Sequence, residues 1–306
     1  MRGLIFALDT SNYTTSAAVF DGETGQNASR VLDVPKGALG LRQSDALFFH
    51  VKRLPEIVER LLGGDNLRSV IAVAASTRPR EAEGSYMPCF LAGESQGRNL
   101  AKALGVPFYA FSHQQGHLAA AAWSAGHMEL LDSPFLAWHL SGGTTELLYV
   151  EPDGKSIRAS AIGGTSDISA GQLIDRTGVR LGLDFPAGKY VDALAADGKA
   201  VKGFKVKLEE LRFSFSGMEN KMINMADDGE RPEDVSRFVL ETVVRTVVSA
   251  TEKAMEKYGK IPVLMSGGVA SNSLLRERMD GALFAAPEFS RDNAMGPAIL
   301  TYRELR

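Results

Sequence analysis

FLAWHLSGGTTELLYV, residues 135–150, is a short apolar run, a cluster of small and hydroxyl residues, and a second apolar run. Phe135 to Leu140 and Glu146 to Val150 read as strands, and Ser141-Gly142-Gly143-Thr144-Thr145 as the turn joining them, because Gly, Ser and Thr accept tight backbone geometry that bulky apolar residues resist. The same pattern stands about 130 residues earlier, as strand Gly3 to Asp9, turn Thr10 to Thr15 and strand Ser16 to Asp21. No short fixed period runs through the chain, so two β-hairpins this far apart imply a duplication of whole lobes. Two related lobes can enclose a cleft.

Outward from the hairpins, Ala46 to Leu62 reads as helix, Ser69 to Ala75 as a buried strand, and Glu94 to Leu104 as a helix stopped by Gly105. Pro232 opens a long helix in which Val235, Phe238, Val239, Val243 and Val247 share one face, until Gly259 ends it. The strand Ile261 to Met265 then runs into Ser266-Gly267-Gly268-Val269-Ala270-Ser271-Asn272 and a further helix. A strand, glycine turn and helix in that order exposes backbone N–H groups to an anion. The expected architecture is α/β in two lobes, residues 1–132 and 133–306.

With 44% hydrophobic and 23% charged residues, the 306-residue chain has a core to bury and is neither disordered nor a coiled coil. Thirty-four basic against 37 acidic residues give a net charge of −3. There is no overall basic field, so a nucleic-acid partner needs a local patch or a second subunit. The single cysteine, Cys89, excludes an intramolecular disulfide and any CxxC motif. The apolar run Leu4 to Leu8 is cut short by Asp9, and no stretch approaches 18 uncharged apolar residues. A soluble cytoplasmic protein without membrane contact is the expectation.

Three groups of residues could carry chemistry. His113 and His117, four apart in HQQGH, would share a helix face and could chelate one metal ion, although two unrelated polar residues at a helix start look the same. A third ligand must come from elsewhere. Zincin proteases place a glutamate beside one histidine, where this chain has Gln114 and Gly116, so proteolysis is disfavoured. The strand-terminal turns at 9–15, 141–145 and 266–272 allow close approach of a phosphate, or are plain turns; none is a Walker A or GxGxxG loop. Asp167, Ser169, Gly171, Asp175, Gly188 and Asp192 could hold ribose hydroxyls or cap helices. His50, His127 and His139 have no partner spacing and read as surface or packing residues.

In order along the chain, LDTSNYTTSAAV, SHQQGH, LSGGTTELL, SAGQLIDRTGVRLGLDFPAGKYVD, FSFSG, SGGVASN and SRDNAMG resemble the motifs of the TsaD family of tRNA threonylcarbamoyladenosine synthases, historically called glycoproteases. The likeness spans nearly the whole chain. It implies a duplicated, ribonuclease H-like fold of the actin, sugar kinase and Hsp70 superfamily, with a central cleft. It also implies one divalent metal, iron or zinc, on His113, His117 and Asp292. An adenine nucleotide or threonylcarbamoyl-adenylate is implied on Leu140, Ser141, Gly142, Gly143, Asp175, Gly188, Asp192 and Asn272, in the cleft between the lobes. The family's partners are tRNA and a related paralogue, so a heterodimer or a homodimer is implied.

This sequence departs from the family where chemistry is expected. The acidic pair of the first hairpin is Tyr13 and Thr14, the glutamate of HxEGH is Gln115, and the histidine of SGGHT is Thr144. The GPG loop is Arg78-Pro79-Arg80, and the lysine after FSFSG is Glu219. The pattern is that of a divergent paralogue, and the sequence names no catalytic residue. Three readings stay open: a threonylcarbamoyl transferase acting on tRNA adenosine, a non-catalytic metal- and nucleotide-binding subunit, and a carbamoyl or acyl transferase acting on a small molecule. A sugar kinase is disfavoured because SGGTT offers no aspartate to deprotonate a hydroxyl.

Overall fold

The computed structural model describes residues 3–11, 13–33, 41–199 and 203–306. The chain packs as two units, one holding the residues up to Ser133 with Glu151–Ala159 and Glu288–Arg306, the other Pro134–Val150 and Ser160–Pro287.

The first unit is built on strands β1 (Leu4–Asp9), β2 (Thr14–Phe20), β3 (Gly25–Val31), β4 (Val70–Arg78) and β5 (Phe108–Ser112), in the order β3-β2-β1-β4-β5. β1 runs antiparallel to β2 and parallel to β4. Its helices are α1 (Gln43–Leu62), α2 (Phe90–Leu104), α3 (His113–Ser124) and the chain's last, labelled α9 (Met295–Glu304). Strand alternation divides the apolar residues between two faces. Phe6, Leu8, Ala17 and Val19 join Leu54, Ile57 and Leu61 of α1 in one core cluster. On the other side, Phe20 sets its ring edge-on to Trp123 of α3 and Tyr302 of α9, at 6.0 and 5.6 Å. Arg303 ties the last helix down by donating to the Leu131 carbonyl at 3.1 Å and Asp132 at 2.7 Å.

The second unit carries β6 (Phe135–Leu140), β7 (Thr145–Asp153), β8 (Ser156–Thr165), β9 (Arg212–Phe213), β10 (Val263–Ser266) and β11 (Leu283–Phe284), in the order β11-β10-β6-β7-β8-β9. Numbered from its own first strand, the sheet repeats the first unit's 3-2-1-4-5 arrangement, with the two-residue β9 added at an edge. That repetition is the structural form of the expected duplication. Helices α4 (Ala170–Arg180), α5 (Gly188–Ala196), α6 (Ser216–Asp227), α7 (Pro232–Tyr258) and α8 (Ser273–Arg278) complete it. Pro232 and Gly259 bound α7 as expected, and Val235, Val239, Val243 and Val247 are buried, with Phe238 half-buried. The buried Trp138 donates to Thr251 of α7 at 2.9 Å, so its indole N–H is not orphaned in the core.

Several element boundaries differ from the sequence reading, β2, β7 and β10 by one to three residues at an end. α1 begins at Gln43 and α2 at Phe90, both earlier than read from the sequence, and β4 runs on to Arg78. No helix among the described residues is long and apolar enough to cross a membrane.

Candidate functional site

β5 ends at Ser112 and α3 begins at the next residue, so His113 stands in the first turn of the helix and His117 one turn later. Ser112 caps the helix: its hydroxyl accepts from the Gln115 N–H, and the Gln115 side-chain oxygen accepts from the Ser112 N–H at 2.8 Å. The two imidazole rings lie with centroids 4.3 Å apart. Asp292 Oδ1 reaches His113 Nε2 at 3.5 Å and His117 Nε2 at 3.3 Å. Their ligand atoms all lie within 4.8 Å of one another. Two imidazole nitrogens and one carboxylate oxygen are a donor set that could hold a divalent metal ion.

What brings Asp292 there is a close crossing of α3 and α9. A Cβ on Gly296 would overlap the carbonyl of Gly116, and one on Gly116 would meet the Pro297 ring at 3.0 Å. Both glycines let the helices meet backbone to backbone just beyond the ligands. Gly296→Ala must therefore push α9 away, at a cost of about 1–3 kcal/mol by the usual scale of overpacking. A urea midpoint lowered together with the metal content is the expected result; a fall in neither would mean the crossing does not set the site.

A fourth residue belongs to the site and was not assigned this role from the sequence. Asp9, buried at the end of β1, accepts from His113 Nδ1 at 2.8 Å and from the Ser11 N–H at 2.9 Å. Burial disfavours the His113 imidazolium, but Asp9 and Asp292 outweigh it and hold the ring's pKa up at about 10. Burial likewise works against the Asp292 carboxylate, yet the two histidines keep its pKa well below the usual range. Once a metal displaces the Nε2 proton, the Nδ1–H donated to Asp9 would keep Nε2 as the lone-pair donor, the outer-shell arrangement common to metal-bound histidines. The only sequence signal for Asp9 was a lone carboxylate closing a buried apolar strand, which must find a partner.

Gln115 requires a correction. Its place in HxEGH suggested that a catalytic base had been lost there. The side chain instead lies buried on the far side of α3, its oxygen in the capping box and its amide donating to the Ile157 carbonyl at 2.8 Å and to Ser156 Oγ at 3.2 Å. Residues two apart on a helix cannot share a face with His113 and His117. Of the first hairpin, Thr14 is buried and begins β2, and Asn12 lies outside the described residues. The Pro79 carbonyl accepts from the Gln114 N–H at 3.0 Å, so the Arg78-Pro79-Arg80 loop is joined to the first turn of α3.

The residues read as nucleotide contacts lie in the second unit, in two groups. The turn after Leu140 is closed by the Ser141 N–H donating to the Thr144 carbonyl at 2.8 Å. Ser169, the N-cap of α4, donates to the Gly142 carbonyl at 2.7 Å. A Cβ on Gly171 would strike the backbone of residues 141 and 142, so α4 abuts the turn at its first residues, while Gly142 and Gly143 have open space where a side chain would be. Elsewhere, Asp192 accepts from Asn272 Nδ2 at 2.6 Å and from Ser273 Oγ at 2.9 Å. Asp175 accepts from the Ala187 N–H at 2.8 Å, which places it at the start of α5 beside Gly188.

A cavity of about 970 Å³ is lined by Gly142, Asp175 and Arg176, with Phe185, Glu219 and Met222 among its other walls; Gly188, Asp192 and Asn272 are not part of its lining. Glu219, where the resembled family has lysine, pairs with Arg176 at 2.7 Å. Asp167 takes the capping role: Ser214, Ser216 and the Phe215 N–H all donate to it, which fixes the FSFSG segment. His50 is buried with Nδ1 2.8 Å from Thr15 Oγ1, and His127 pairs with Glu129 at 2.7 Å.

Two units whose sheets share the 3-2-1-4-5 order, the first of them holding the His-His-Asp set, define a duplicated α/β protein with the fold of the actin, sugar kinase and Hsp70 class. Solved structures of this class match it throughout. HypF, in a phosphate- and nucleotide-bound form, superposes with TM-score 0.62 at 14% identity over 99% of this chain and 56% of its own. Component A of the (R)-2-hydroxyglutaryl-CoA dehydratase of Acidaminococcus fermentans does so with TM-score 0.55 at 14% identity, over 99% of each chain.

The chain belongs to the TsaD family, tRNA N6-adenosine threonylcarbamoyltransferase, whose family model matches residues 43–299. It is 33% identical over 289 residues to the tRNA N6-adenosine threonylcarbamoyltransferase of Streptococcus pneumoniae, covering 90% of this chain and 82% of the relative. The protein of the same name from Halalkalibacterium halodurans is 31% identical over 300 residues, covering 94% and 84%.

Proposed function

We propose that this chain moves a threonylcarbamoyl group from an adenylate to the N6 amine of a tRNA adenosine, with one divalent metal held by His113, His117 and Asp292. The observation that carries the reading is the convergence of those three ligand atoms, backed by Asp9, in a chain of this family. A metal ion so held supplies a Lewis acid for phosphate or carbamoyl oxygens. The chain's own residues do the rest. Asp9 fixes the His113 ring, and the open space at Gly142 and Gly143 leaves room for an anion to approach the turn. The adenylate is assigned to Leu140, Ser141, Gly142, Gly143, Asp175, Gly188, Asp192 and Asn272, where carboxylates suit a ribose diol.

Asn272 and Asp192 already hold each other, so a ribose would have to share or break that bond. Calorimetry with ATP, ADP and AMP in the presence of metal is expected to show binding that weakens in Asn272→Ala. No heat at millimolar nucleotide would remove the assignment at these positions. The reading as a whole is tested by incubating the protein, alone and with candidate partner subunits, with threonylcarbamoyl-adenylate and unmodified tRNA, followed by mass spectrometry of the nucleosides. The replaced acidic pair at Tyr13 and Thr14 favours, as a second reading, a binding subunit whose related partner carries the catalysis.

A further inference from the structure

We propose that the groove between residues 205–208 and the middle of α7 is a phosphate-binding surface for the tRNA acceptor, an assignment that rests on the transferase reading above. A chain with net charge −3 attracts a polyanion only through a local patch. The groove, about 280 Å³, is lined by Lys205, Lys207 and Arg245 together with Thr246 and Ser249.

Its construction follows from how the segment meets the helix. Gly203, at φ +63, passes so close to α7 that a Cβ there would lie 2.9 Å from the Thr242 N. The Phe204 N–H then donates to Thr242 Oγ1 at 2.7 Å and anchors the segment. Val206 and Leu208 are half-buried against the core and form the floor. Alternation along an extended chain therefore turns Lys205 and Lys207 outward on one side, about 6.5 Å apart. Arg245 and Ser249, one turn apart on α7, form the opposite wall.

On the rim Glu209 meets Lys207 at 2.9 Å. Both side chains are more than 70% exposed (83% and 74%), so the pair is solvated and readily exchanged for a phosphate. Cations on long exposed stems along an open groove suit successive backbone phosphates, where affinity comes from counterion release. A small free anion would call for enclosed donors of fixed geometry.

The test measures binding of unmodified tRNA to the full chain across a salt series, for the wild type, the triple variant Lys205→Ala/Lys207→Ala/Arg245→Ala, and Glu209→Gln. Nucleotide calorimetry and metal content serve as folding controls and stay at wild-type values in both variants. In the triple variant the slope of log affinity against log salt is expected to shrink by about 2–3, with affinity down about tenfold or more. Glu209→Gln, which frees Lys207, is expected to tighten binding, a result that a merely structural role would not give.

Wild-type binding left unchanged by the triple variant overturns the groove while the transferase reading stands. No tRNA binding by the wild type at low salt also overturns the groove, and the nucleoside assay above then decides the transferase reading separately. Inorganic phosphate bound by the wild type and not by the triple variant, without any change in tRNA affinity, would make this a small-anion site and likewise overturn the assignment.

Discussion

Elemental analysis of the purified protein is expected to find one metal ion per chain in the wild type and essentially none in His113→Ala, because two ligands cannot hold what three converge on. Asp9→Asn keeps the shape beside His113 and removes the charge, and outer-shell losses of this kind cost about 10- to 100-fold in metal affinity. Acidity should act in the same direction. With its pKa near 10, His113 carries a proton throughout the neutral range, and the metal must displace it. Affinity therefore rises with pH, about tenfold per unit between about pH 6 and 9. Equal and negligible metal in wild type and His113→Ala, even after reconstitution, would overturn the site. A flat pH profile would show that Asp9 and Asp292 do not hold the proton on the ring.

The second large effect concerns turnover. Transfer needs a positioned group to take a proton from an exocyclic amine that is barely basic, and the loss of one such group commonly costs about 10²- to 10⁴-fold. The motif resemblance aligns Tyr13 and Thr14 with an acidic pair, and Thr14 is buried at the start of β2. The isolated chain is expected to be weak or inactive, down by about that factor, with appreciable activity requiring a partner subunit that also supplies tRNA-binding charge. Robust turnover by the isolated chain would refute this. None even with candidate partner subunits would favour a binding subunit or a small-molecule transferase. Gln115→Glu is not expected to restore activity. It would set a carboxylate against the Ile157 carbonyl that now accepts a hydrogen bond, at a stability cost of about 1–3 kcal/mol. A gain in rate from that substitution would mean that the far face of α3 takes part in the reaction after all.

How far the sequence could be read depended on whether the signal was local. The hairpins β1–β2 and β6–β7 were legible because apolar runs flank turn residues, and α7 because valines repeat every three or four positions. β3, GQNASRV, was not: it buries only Ala28, and what defines it is backbone pairing to β2. The histidine pair showed itself by its spacing, whereas Asp292 came only from the resemblance of SRDNAMG. The Asp9–His113 bond joins residues 104 apart and leaves no periodic trace. Gln115 was misjudged because a motif position fixes residue order but not the helix face. Lys205 and Lys207 alternate visibly, but Arg245, which closes the groove with them, is a residue of another element.

The second unit interrupts the first, since Glu288–Arg306 returns to the unit that begins the chain. Synthesis therefore orders events in time. His113 and His117 leave the ribosome first, and the roughly 160 residues between Ser133 and Asp292 must follow before the third ligand exists. At about 5–20 residues per second that wait is on the order of ten to thirty seconds. During it the opening sheet lacks α9, the helix that covers Phe20. A nascent chain halted before residue 288 would thus expose that face and carry only the two histidines of the proposed metal set, so any metal would be captured late in the protein's birth and the waiting face would be a target for chaperones.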